Sequence, residues 1–229
     1  MIVQRIRVGE TNCYLLRGQG STVLIDPGPP GGGRAVLAGA EAAGVRPDEV
    51  RLLLVSHGHL DHYGAAPEVQ AWCGAPVAAA AGAAEFSRQR RNALPPAQTL
   101  RGSVVRWLYL LLSPLVRHAP LEADVLLEAG ADLEAYGVEA RTVALPGHAP
   151  ASLGVLTAEG DLFVGDLLVN YTLPSKPLYL MDEAAWQDSL ARVRALEPRR
   201  VYVGHGEPFD GQALAHIYPA RYQFRWWVR

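Results

Sequence analysis

Residues 51–62 read RLLLVSHGHLDH, and this stretch decides the fold. Its first six residues, Arg51–Ser56, hold a continuous apolar run, which is typical of a strand that is buried on both faces of a sheet. The remainder brings three histidines and an aspartate together within six residues: His57, His59, Asp61 and His62. Because binding sites lie at strand ends, this cluster predicts a site rather than a polar loop whose histidines face solvent.

The residue types in this cluster are those that bind metal ions. Imidazole suits zinc and iron, and a carboxylate adds charge and an oxygen ligand. His57 and His59 can chelate one ion from an extended segment, which leaves Asp61 and His62 for a second ion. The sequence therefore predicts a metal site in this loop.

Three further candidate ligands follow predicted strands later in the chain. They are His148, Asp166 and His205, and each stands beside a glycine that permits a close approach to an ion. Taken alone, each is more typical of an ordinary turn. They become candidate metal ligands because they occur together with the cluster at residues 57–62.

In chain order, the seven candidate ligands resemble the metal-binding motifs of the metallo-β-lactamase superfamily. Asp26, which follows the third predicted strand, matches the first motif of that family. The resemblance covers the chain except for the stretch Ala83–Pro120. It implies an α/β (α+β) fold, a four-layer αββα sandwich with metals in the cleft at the sheet edges.

The resemblance also implies how the ligands divide between two divalent cations. One ion is expected at His57, His59 and His148. The other is expected at Asp61, His62 and His205. Asp166 is expected to bridge both ions, and Asp26 to orient the ligand loop. We expect zinc, with iron or manganese as alternatives.

Such a centre predicts a hydrolase. Two divalent cations at one site lower the pKa of a bridging water, so hydroxide is available near neutral pH to attack a carbonyl or phosphoryl centre. Asp61 and Asp166 are the candidate catalytic residues, and Asp61 can accept or relay the proton. We expect a small-molecule substrate that is a thioester, an ester or a lactone.

Individual residues of the sequence favour or disfavour particular branches of this family. The intact Asp166 disfavours antibiotic hydrolysis, because β-lactamases usually replace the bridging aspartate. Only 24 residues follow His205, which disfavours the glutathione-binding region of glyoxalase II. Val169 stands where lactonases often place a tyrosine. The alternatives that stay open are a phosphodiesterase or nuclease, an iron-dependent sulfur dioxygenase and a non-catalytic metal-bound binding module.

Composition sets outer limits on the function. The 229 residues are 49% apolar and 19% charged, which excludes a disordered chain. A net charge of −2 gives no overall attraction to nucleic acid or anionic lipid. Two cysteines are too few for a disulfide framework, and the first ten residues hold no apolar signal segment, so we expect a cytoplasmic protein. The longest apolar run, Val104–Val116, is too short to span a bilayer.

We predict one domain, residues 1–229, with a helical insertion at about 83–120. Helices are expected at Arg34–Gly44, Ala65–Cys73 and Asp182–Leu196. Strands are expected at Ile2–Val8, Cys13–Arg17, Thr22–Ile25, Arg51–Ser56, Pro76–Ala80, Val125–Leu127, Asp132–Ala135, Val138–Ala144, Ser152–Thr157, Leu162–Val164 and Arg200–Val203. The insertion carries apolar side chains from Trp107 to Leu112. Three roles are open for them: an acyl-binding cleft wall, packing on the core, or a homodimer contact through the helix 100–118.

Overall fold

The structure, a computed structural model, describes residues 1–89, 96–112 and 119–220. Two sheets form its centre. The first sheet has the order β1 to β6: Ile2–Val8, Thr11–Arg17, Thr22–Ile25, Val50–Leu54, Val77–Ala79 and Val125–Leu126. The second runs from β11 back to β7, and these strands in chain order are Ala140–Ala144, Leu153–Thr157, Asp161–Phe163, Arg200–Tyr202 and Phe209–Asp210. The pairs β3–β4, β4–β5, β5–β6 and β9–β10 are parallel, and the others are antiparallel.

Helices connect the strands and cover the sheets. The α-helices α1 to α6 are Gly33–Ala42, Leu60–Tyr63, Ala66–Cys73, Ala81–Arg88, Leu100–Leu112 and Glu183–Ala195. Short 3-10 helices lie at Pro47–Glu49, Glu134–Tyr136, Gly165–Leu167 and Gly211–Ala215. The expected cap of α6 is present, because the Asp182 carboxylate accepts a hydrogen bond from the backbone N–H of Ala185 at 3.0 Å.

Side-chain alternation builds three apolar layers. Along β2, Cys13 and Leu15 pack beneath α1 and α3, whereas Tyr14 and Leu16 point into the space between the sheets. A third cluster packs α6 on the outer face of the second sheet, where Trp186 meets β9 and β10. The order of layers is thus helix, sheet, sheet and helix, and the expectation of an αββα sandwich is confirmed.

One predicted strand is wrong. Residues 132–135 do not form a strand; only Asp132 makes an isolated bridge, and Glu134–Tyr136 is a 3-10 helix. The Asp132 carboxylate accepts a hydrogen bond from the backbone N–H of Glu134 at 2.8 Å, and such a local bond competes with a sheet ladder.

The two halves of the chain meet through backbone hydrogen bonds near the ligand loop. Leu153 N–H donates to the Ser56 carbonyl at 2.8 Å, and the Tyr14 hydroxyl donates to the Val203 carbonyl at 2.6 Å. Asn12 N–H donates to the Gly204 carbonyl at 2.8 Å. These contacts bring the ends of β4, β9 and β10 to one edge of the sandwich.

Helix α5 and most of α4 lie in the stretch 83–120, of which residues 90–95 and 113–118 fall outside the described part. In α5 the side chains of Trp107 and Leu111 are exposed, so packing on the core is wrong for these two residues. The side chains of Tyr109, Leu110 and Leu112 lie outside the description. Within the described residues, no helix has the length and apolarity needed to cross a membrane.

Candidate metal centre

The seven candidate ligands lie at one edge of the sandwich, just after the strands that precede them. The structure places them in two sets, and in each set the potential ligand atoms are within 4.8 Å of one another. We name as the first group His57, His59, His148 and Asp166. We name as the second group Asp61, His62 and His205. This grouping parallels the division between two ions that the family resemblance implies.

Three imidazole nitrogens converge in the first group. His59 Nδ1 lies 3.0 Å from His57 Nε2 and 2.9 Å from His148 Nε2. All three side chains are buried, at the end of β4 and after β7. Phe86 of α4 packs edge-on against the His59 ring, with 5.6 Å between centroids, so the stretch 83–120 borders this group.

Hydrogen bonds on the far side of two rings fix which nitrogen points into the first group. His148 Nδ1 lies 2.8 Å from the Tyr179 carbonyl oxygen, which can only accept, so this nitrogen carries the proton and Nε2 has the lone pair. His57 Nδ1 lies 2.9 Å from the Ser56 hydroxyl. That hydroxyl donates to Asp26 Oδ2 at 2.8 Å and therefore accepts from His57 Nδ1–H. His57 Nε2 is left as a ligand.

The second group is oriented in the same way. His62 Nδ1 donates to Asp26 Oδ2 at 2.9 Å, and His205 Nδ1 donates to the Glu10 carbonyl at 2.8 Å. Each ring then presents Nε2 to Asp61, whose Oδ2 lies 3.2 Å from that of His205 and 3.6 Å from that of His62. Asp26 thus acts on both groups, on His62 directly and on His57 through Ser56.

Asp166 stands between the groups. Its Oδ2 is 3.4 Å from His148 Nε2 and 3.2 Å from His205 Nε2, and its Oδ1 is 3.4 Å from His62 Nε2. This close approach requires a glycine at position 204, because a Cβ there would overlap Asp166 Oδ1. Among the described carboxylates, Asp166 alone lies within 4.0 Å of histidine nitrogens in both groups.

The arrangement fits metal ions better than hydrogen bonds alone. His59 Nδ1 carries at most one proton, so it cannot donate a full hydrogen bond to both His57 Nε2 and His148 Nε2. Among the described residues, the buried Nε2 of His62, in the second group, and Oδ1 of Asp166, in the first, have no hydrogen-bond partner. Buried polar atoms without partners are costly, and a cation between them would satisfy them.

Burial and nearby charges shift the pKa values of the histidines in opposite directions in the two groups. Burial lowers the pKa of His57 and His148, and it lowers that of His59 to about 3. For His62 and His205 burial acts in the same sense, but the carboxylates of Asp166 and Asp61 outweigh it and raise both pKa values well above the usual range. Neutral histidines therefore fill the first group, and ion pairs fill the second.

Sequence reasoning missed the residues that hold the ligands in place. Ser56, the Glu10 carbonyl and the Tyr179 carbonyl all orient ligand rings, and they act through a hydroxyl or a backbone oxygen instead of a typical metal-ligand side-chain group. Ser56 alone had a signal, since it ends the predicted strand beside His57. The backbone of Asp26 has a φ of +54°, a left-handed conformation that is uncommon without glycine and places its carboxylate beneath the loop.

Known proteins share this sequence pattern and this fold. The sequence model of the metallo-β-lactamase superfamily matches residues 6–205. The hydroxyacylglutathione hydrolase of Anaeromyxobacter dehalogenans (strain 2CP-C) is 34% identical over 169 residues, which are 73% of this chain and 50% of that protein. The probable metallo-hydrolase YflN of Bacillus subtilis (strain 168) is 27% identical over 212 residues, 84% of this chain and 78% of that one. The chain thus spans about half the length of the first relative.

Solved structures agree on the fold. The metallo-β-lactamase family protein TTHA1429 from Thermus thermophilus superimposes with a TM-score of 0.69 at 23% identity, over 93% of this chain and 76% of that one. A Cronobacter sakazakii metallo-β-lactamase with a HARLDQ motif gives a TM-score of 0.66 at 24% identity, over 89% and 74% of the two chains. At these identities the likeness establishes the architecture alone.

Proposed function

The chain belongs to the metallo-β-lactamase superfamily and is a metallo-hydrolase, and we propose that it cleaves thioesters of small acyl groups with two divalent metal ions. One observation carries the proposal. Two groups of ligand side chains converge on the shared carboxylate of Asp166. The thioester is the substrate class that the name of the 34% identical relative indicates.

We propose that the first group holds one ion and the second group the other, with Asp166 shared. Imidazole and carboxylate donors in these proportions suit zinc, which we propose as the native metal. When bound, two such ions supply Lewis acidity toward a carbonyl oxygen and lower the pKa of a water molecule between them. A cytoplasmic location is also part of this proposal.

The side chains of the protein divide the remaining work. The three histidines of the first group are neutral, so they are ready to act as ligands without losing a proton. Asp61 is the more exposed carboxylate, with 45% of its side chain accessible. Burial would raise its pKa, but His62 and His205 lower the pKa well below the usual range, so Asp61 is ionised and able to accept a hydrogen bond from a water molecule on the solvent side.

The test is a substrate panel on protein of measured metal content. We expect two zinc ions per chain, and a kcat/KM for a hydroxyacyl thioester of glutathione at least about tenfold above that for the matching oxygen ester, a homoserine lactone or a nitrophenyl phosphodiester. The variant His57→Ala should lose turnover. His216→Ala changes an exposed histidine outside the site and should keep it.

Other outcomes would replace the proposal by a named alternative. Preference for the phosphodiester indicates the nuclease branch. One iron per chain with oxygen uptake indicates a sulfur dioxygenase. Full metal loading without turnover on any substrate indicates a binding module. Equal turnover in His57→Ala and the native protein would remove the metal mechanism itself.

A further inference from the structure

Helix α5 exposes an apolar stripe that the metal centre does not explain. Its members are Leu100, Val104, Trp107, Leu108 and Leu111. Their exposed fractions range from 55% to 85%. The spacing of three and four residues places all five on one face of the helix, where a buried helix would contact its core.

The opposite face of α5 is the one that packs on the protein. Gly102 is buried, and a Cβ there would lie 3.0 Å from the Leu178 side chain. The Tyr179 hydroxyl donates to the Gly102 carbonyl at 3.2 Å, and Gln98 N–H donates to the Leu178 carbonyl at 2.9 Å. The helix is thus docked through its small-residue side, and the stripe faces outward.

The charge of this stretch differs from that of the chain. Residues 89–121 contain five arginines and no acidic residue, although the whole chain has a net charge of −2. Two of these arginines, Arg101 and Arg106, are in α5 itself. A helix that combines an apolar face bearing Trp and Leu with basic residues and no acidic ones has the composition of a helix that lies in the interface of an anionic membrane.

We propose that the α5 stripe binds the surface of an anionic lipid bilayer, with the helix axis in the plane of the headgroups. The charge of the helix favours an anionic bilayer over a second copy of the chain as the partner of the stripe. In a two-fold dimer through the stripe, two copies of α5 would lie side by side, each with Arg101 and Arg106 and no acidic residue, so no opposite charge would complement these arginines. An anionic surface turns the same charges into attraction.

The position of α5 would place a bound membrane close to the candidate metal centre. Tyr179 touches both regions, since its carbonyl accepts from the metal-group residue His148 and its hydroxyl donates to α5. A bilayer on the stripe therefore lies near the catalytic edge. Substrates that partition into the headgroup layer would reach that edge without leaving the membrane surface.

The experiment is co-sedimentation of the full chain with vesicles of phosphatidylglycerol or of phosphatidylcholine. We expect binding to the anionic vesicles that weakens as salt rises. The double variant Trp107→Ser with Leu111→Ser should bind at least about tenfold more weakly. The double variant Ile2→Ser with Leu126→Ser is the matched control, because these residues are 60% and 62% exposed on strands of the first sheet, and it should bind like the native protein.

Several results would overturn the proposal. They are equal binding to both kinds of vesicle, no binding to either, and binding that the stripe variant retains. Deletion of residues 221–229, which contain four aromatic residues and three arginines, would overturn it by abolishing binding while the stripe variant keeps it. A native dimer that the stripe variant makes monomeric would assign the stripe to a second copy. Circular dichroism of each variant separates these results from loss of folding.

Discussion

In the first group of ligands, His57, His59, His148 and Asp166 are each at most 7% exposed, whereas in the second group the Asp61 side chain is 45% and the His205 side chain 14% exposed. The first group holds neutral histidines in a buried setting, and the second holds histidines whose charge nearby carboxylates stabilise. The difference indicates a division of labour. An ion bound by the first group would be shielded, and one bound by the second would be open to solvent and substrate.

The largest effect is expected from Asp166, the residue that the two groups share. In the variant Asp166→Ala both groups lose their common carboxylate, so kcat/KM should fall about a thousandfold or more. Steady-state turnover with metal content per chain measures this. Asp188→Ala, an exposed aspartate of α6, is the control. Full turnover in Asp166→Ala would show that the groups act independently.

A smaller effect is expected from Asp26, which supports both groups from below. In Asp26→Asn one carboxylate oxygen is replaced by an NH2 group that cannot accept hydrogen bonds. The native Oδ1 accepts from the Ser56 backbone N–H, and Oδ2 accepts from both the Ser56 hydroxyl and His62, so one side of this support is lost. Metal affinity should fall about 10-fold to 100-fold in both groups. Competition titration with a chromophoric chelator measures both affinities. A change confined to one group would contradict the double role of Asp26.

The variant Ser56→Ala should change the metal affinity of the first group alone. It removes the hydroxyl that orients His57 and leaves the hydrogen bond between Asp26 and His62 in place. Affinity should fall about tenfold for the first ion and stay unchanged for the second. The same titration reads this out, and an equal loss at both ions would mean that Ser56 supports the loop as a whole.

The smallest effect concerns the rate of metal loss. With excess chelator the native protein should release its ions in two phases, the faster from the exposed second group. His205→Ala should retain only the slow phase, and His148→Ala only the fast one. Stopped-flow absorbance of the chelator complex follows both. If His205→Ala retains the fast phase, that phase does not come from the exposed second group.

The architecture was predictable because its signals are local. The apolar run before His57 and the alternation of apolar and charged residues in β1 come from side-chain burial, which the sequence records directly. The cluster from His57 to His62 spans only six residues, from the end of β4 into α2, so its members had to be neighbours. The metal-ligand assignment as such stays a prediction that metal analysis will test.

The unpredicted features depend on contacts distant in sequence or on backbone atoms. The carbonyls of Glu10 and Tyr179 orient ligands through atoms that every residue possesses, so no residue type announces them. The strand expected at Asp132–Ala135 gave way to a local side-chain bond. The outward orientation of Trp107 followed from the docking of Gly102, which the apolar pattern of α5 did not reveal.

The ligands of each group are drawn from both halves of the chain, and this has a consequence for biosynthesis. The first group is complete only after residue 166 has been made, and the second only after residue 205. At bacterial-type synthesis rates the interval between these points is about 2 to 8 s. All the ligands of the shielded group are therefore synthesised before the last ligand of the open group.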